Sequence, residues 1–110
     1  MNDDLFEKYI LCHSCEYVFE PREAEKDWIV FVQLFRPLNS KNIFLPRLYR
    51  RERLIFENND GEKEQKLVWV EDFNLWSPDD KIVAETVQEA LAILEENFKK
   101  SLWQEYEEKR

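Results

Sequence analysis

The sequence predicts a two-layer α+β fold: an antiparallel sheet of four or five strands, packed by a long C-terminal helix, with a short N-terminal helix. Three observations carry this. Residues 28–35, WIVFVQLF, form a nearly unbroken apolar and β-branched run, the pattern of a central strand with both faces covered. Asn58-Asn59-Asp60-Gly61 lies between two apolar segments and signals a hairpin. Val87, Leu91, Leu94, Phe98 and Leu102 recur at helical spacing, with Ala90 filling the same stripe.

At the N-terminus, Asn2, Asp3 and Asp4 can cap a helix, and Leu5, Phe6, Tyr9 and Ile10 share one helical face. This spacing predicts a short helix over about 3–12. Glu16-Tyr17-Val18-Phe19-Glu20 is aromatic and β-branched and stops at Pro21, which predicts a short strand. The charged stretch 22–27 then leads into the central run, which ends at Arg36-Pro37. After a polar link at 39–42 come Ile43-Phe44-Leu45-Pro46 and a hairpin over 47–70 with a polar, charged tip.

Two helix starts then compete. Ser77-Pro78 offers a cap with Pro in the first turn, and Thr86 with Glu89 offers a capping box. The β-branched pair Ile82-Val83 favours the second start, preceded by a short strand over 81–84. The helix is expected to run to about Tyr106, with Glu89, Glu95, Glu96, Lys99 and Lys100 outward.

Composition bounds the function. The 110 residues suit a single α+β domain over 1–110, and hydrophobic residues at 44%, with eight Phe, four Trp and four Tyr, supply one core. A net charge of −8 repels nucleic acid and anionic membrane. A single glycine excludes glycine-rich phosphate loops. No run approaches the ~18 apolar residues of a membrane span. The acidic start and the lone pair of cysteines fit neither a signal peptide nor a disulfide framework, so the expected compartment is the cytoplasm.

Catalytic and metal chemistry find little support. Cys12-His13-Ser14-Cys15 could begin a zinc site, but no further Cys or His completes it. As a redox pair it follows the expected helix instead of opening it. Glu71-Asp72 is the carboxylate pair with the most apolar frame, yet it lies where a strand ends, and His13 has no evident partner. The expectation is a protein that is not an enzyme, with no metal and no cofactor.

Three surface features remain. Glu85, Glu89, Glu95 and Glu96 form an acidic face suited to steering toward a basic protein, although a solvated helix face is the plainer account. Trp76, Trp103 and Tyr106 could anchor that partner, and Leu102, Trp103 and Tyr106 could instead meet a second copy of the chain. Arg47, Tyr49, Arg50, Arg51 and Arg53 form an alternative basic patch for nucleic acid or an acidic protein. Pairing of Arg50, Arg51 and Arg53 with Glu62, Glu64, Glu71 and Asp72 across the hairpin is the structural account of this patch. The sequence therefore points to a small acidic protein-binding module, in the manner of an immunity protein or phage inhibitor, regulating a basic, nucleic-acid-handling partner. A nucleic-acid-binding module and a structural homodimer are the alternatives.

Overall fold

The structure, a computed structural model, describes residues 7–19 and 28–108. Strands β1 (Tyr9–Phe19), β2 (Trp28–Pro37), β3 (Ile43–Glu57) and β4 (Lys63–Glu71) form an antiparallel sheet in that order. A two-residue strand β5 (Ile82–Val83) pairs with the start of β3, and helix α1 (Val87–Glu108) follows.

Strand alternation decides which side of the sheet the helix covers. Val30, Val32 and Leu34 of β2 and Phe44 and Leu48 of β3 point to one side. There they meet Ala90, Leu94, Phe98 and Leu102, the stripe that α1 presents every fourth residue. Cys15, Tyr17 and Phe19 of β1 pack on the same core, Tyr17 edge-on to Phe98 at 5.0 Å between ring centres. Each fully buried Leu or Val contributes on the order of 1.5–3 kcal/mol relative to exposure.

The start of α1 follows the Thr86 reading. The Thr86 hydroxyl accepts from the Glu89 amide at 3.1 Å, and the Glu89 carboxylate accepts from the Glu85 amide at 3.1 Å. Ser77-Pro78 opens a turn instead, closed by the Asp80 amide donating to the Ser77 carbonyl. The hairpin tip also forms as its residues dictate: Gly61 takes φ +82°, a region that L side chains rarely adopt.

The expected N-terminal helix is corrected. Residues 9–12 of its span are strand, with Tyr9, Ile10 and Leu11 paired to Pro37, Arg36 and Phe35; residues 3–6 lie outside the described residues. The ladder to β2 satisfies the backbone of this segment and overrides its helical spacing. The charged link at 22–27 also lies outside the described residues. A register shift between Leu11 and His13 brings both Cys12 and Cys15 against the core side of β1. Ile43 to Pro46, expected as a separate piece, is continuous with the hairpin strand in β3.

Candidate functional site

Residues that alternate with the core row define the other face of the sheet. On β2 these are Ile29, Phe31, Gln33 and Phe35; on β3, Leu45, Arg47, Tyr49 and Arg51; on β4, Leu67, Trp69 and Glu71; on β1, Ser14, Glu16 and Val18. Solvent-facing rows of antiparallel sheets are ordinarily polar. This one is aromatic and aliphatic at its centre, and among the described residues no helix or strand packs over it. Val18 and Leu67 stand 52% and 57% exposed. The central run of β2 is expected to be covered on both faces, and among the described residues only one face is covered.

An aromatic cluster fills the middle. Phe31 lies 5.8 Å from Tyr49 and 5.5 Å from Trp69, ring centre to ring centre. The Arg51 guanidinium rests 5.0 Å over the Trp69 ring. At the edge, Arg47 pairs with Glu71 at 2.9 Å. Tyr9, Phe35, Leu45, Arg47 and Pro78 line a hollow of about 310 Å³ at the end nearest the Pro78 turn.

β3 and β4 also run past the body of the sheet. β2 pairs with β3 only between Leu45 and Arg50, while β4 pairs with it out to Glu57. Residues 51–67 are exposed throughout, Leu54, Ile55, Phe56 and Leu67 among them. Alternation puts Ile55 and Leu67 on the side of the open face and Leu54 and Phe56 on the helix side. A two-stranded arm of this kind is marginal in water on its own.

The structure splits the arginine patch. Arg47, Tyr49, Arg51 and Arg53 share the open face, whereas Arg50 turns to the helix side. There it pairs with Asp72 at 2.8 Å and grips Glu105 of α1 through both terminal nitrogens. Of the cross-hairpin pairs expected, Arg50 meets Asp72; Glu71 is engaged by Arg47 instead, and Arg51 and Arg53 stand opposite Trp69 and Leu67.

The acidic residues divide as well. Glu85 and Glu89 meet in the helix cap, Glu95 accepts a 2.6 Å hydrogen bond from the Tyr17 hydroxyl, and Glu96 is exposed. Helical spacing sets Glu96, Glu89 and Glu107 opposite Leu94 and Phe98, turned away from the sheet. Trp76 donates its indole N–H to the Asp80 carbonyl at 3.1 Å and packs on the core. Trp103 packs edge-on to Phe19 at 5.1 Å and to Tyr106 at 5.9 Å, with 42% of its surface exposed. The expected anchors therefore do not converge: Trp76 tethers a loop, while Trp103 and Tyr106 flank β1.

Phe31 belongs to the run expected to be covered on both faces, and Trp69 joins it on the open side. Their place in the open face follows from strand alternation once the helix side is known. Burial raises the Tyr17 phenol far above its ordinary range, and the hydrogen bond to Glu95 adds to the shift. Burial also raises the Cys15 thiol, so both groups are held in their neutral forms. Among the described residues, no cluster of three or more His, Cys, Asp or Glu is placed to hold a metal ion. No helix among them is long and apolar enough to cross a membrane. No family model, curated protein or solved structure matches the chain.

Proposed function

We propose that this chain is a small acidic protein-binding module of the inhibitor or immunity type, with the open sheet face as its principal contact surface. The observation that carries the reading is the second apolar row of β2, Ile29, Phe31 and Phe35, with no covering layer in the described chain. Apolar area of this kind is stabilised only when it leaves water. Tyr, Trp and Arg are the residues that dominate binding energy at protein interfaces, and Tyr49, Trp69 and Arg51 meet here.

The outer side of α1 adds the regulatory half of the proposal. With a net charge of −8 and Glu89, Glu96 and Glu107 turned outward, it favours approach of a basic protein and speeds encounter at low salt. A nucleic-acid-handling partner has the matching charge. The chemistry is binding: occupation of a surface, with no bond made or broken.

Arg51 over Trp69 beside Tyr49 and Phe31 favours a second reading, in which the open face takes single-stranded nucleic acid by stacking. The net charge works against it.

Affinity capture from host lysate with three baits tests the proposal: wild type, a face variant (Val18→Glu with Leu67→Glu) and a helix variant (Glu89→Lys with Glu96→Lys). A stoichiometric basic protein held by the wild type and lost in either variant supports the reading. Equal capture by all three baits contradicts it, and recovery of nucleic acid lost in the face variant favours the second reading.

A further inference from the structure

We infer that the open sheet face is covered by a second copy of the same chain, packed sheet against sheet about a two-fold axis. The inference rests on the reading of that face as a protein-contact surface and names its occupant.

Area is the first argument. The residues of β1 to β4, at about 3.3 Å each along strands about 4.8 Å apart, give a face of about 700 Å², the overhanging arm included. That lies within the range of about 600–1,000 Å² per partner that standard stable interfaces bury. The surface is thus large enough for a dimer without recruiting α1.

Charge is the second. On the open side Arg47, Arg51, Arg53 and Lys63 stand against Glu16, Glu57 and Glu71. The face is close to neutral in a chain of net charge −8, so the acidity lies elsewhere, much of it on the outer side of α1. A strongly basic partner is drawn to that outer side and finds no field on the sheet face. A second copy fits it: face-to-face packing puts neutral, apolar surface together and leaves the two acidic helices on opposite outer sides. Their separation then exceeds the Debye length of about 8–10 Å at physiological salt.

Shape is the third. A twisted sheet packs best on a sheet of the same twist, about 10 Å away, as in a sandwich. An axis parallel to the strands lays β2 of one copy over β3 of the other. Because Phe31 and Tyr49 are register partners, each Phe31 then comes over the other copy's Tyr49 at the centre of the contact. The dimer leaves the acidic stripes of both helices outward, so the surface proposed for a basic partner is doubled and remains free.

Sedimentation equilibrium at about 1–100 µM chain, a range spanning the micromolar affinities of modest interfaces, tests the inference. The wild type is expected at twice the chain mass. Val18→Glu and Leu67→Glu, at positions more than half exposed in the single chain, are each expected to weaken the dimer by about tenfold or more while leaving the circular dichroism unchanged. Ile93→Glu, on α1 away from the face, is expected to leave it intact. A monomeric wild type, or a dimer that survives both face substitutions, overturns the inference. If the wild type is monomeric while the face variant still loses a protein captured from lysate, only the identity of the occupant falls and the contact-surface reading stands.

Discussion

Arg50 and Glu105 join the two layers of the fold: the guanidinium of β3 holds the carboxylate of the last turns of α1 through both terminal nitrogens. Its third nitrogen reaches Asp72 at 2.8 Å, and all three side chains are at least seven-tenths shielded. The geometry is that of the fork-to-carboxylate pair that Lys cannot reproduce. Arg50→Met should therefore cost about 1–3 kcal/mol in urea unfolding, since it removes the counter-charge shared by two shielded carboxylates and the two hydrogen bonds to Glu105. Arg53→Met, at an exposed position of the arm, should change stability by less than about 0.5 kcal/mol.

Tyr17 and Glu95 predict the alkaline limit. The fold favours the neutral phenol, so above the unfolded pKa of 10.0 the folded chain binds more protons than the unfolded one. The contribution is complete below that pH and declines as pH rises past it. Thermal unfolding followed from pH 8 to 11 should show the wild type losing stability above about pH 10, with a shallower loss in Tyr17→Phe.

Thr86 and Glu89 fix where α1 begins. Thr86→Ala should cost about 1 kcal/mol and Thr86→Asn almost nothing, because asparagine can also accept from the Glu89 amide. Chemical unfolding of the two variants checks the difference.

Salt separates the kinds of association. Dimerisation through an apolar, near-neutral face should hold or tighten between about 0.05 and 0.5 M salt, since screening removes repulsion between acidic chains. Capture of a basic partner through Glu89 and Glu96 should weaken over the same range. Oligonucleotide binding by Arg51 and Arg53 would fall more steeply still with each phosphate contact.

Sequence reading was most successful where local chemistry decides structure. The Val87 to Leu102 stripe, the Thr86–Glu89 cap and Gly61 at the hairpin tip each state their conformation within a few residues. It failed at Tyr9 and Ile10, whose helical spacing gives way to pairing with Pro37 and Arg36, a contact that no local pattern announces. Arg50 was grouped with Arg47, Arg51 and Arg53, although alternation along one strand already assigns it to the other side. The open face was missed for a different reason. An apolar row on each side of β2 reads as a doubly covered strand, and the sequence does not say whether the second cover comes from the same chain.

The central claim is that the face carrying Val18, Phe31, Tyr49, Trp69 and Leu67 is a protein-contact surface. A soluble paramagnetic probe, read by nuclear magnetic resonance on the purified, self-associated protein, tests it most directly. The account predicts that the side chains of Val18, Trp69 and Leu67 are shielded from the probe while Glu96 and Lys100 of α1 are strongly broadened. Equal broadening of Val18, Leu67 and Lys100 in the associated state would contradict it.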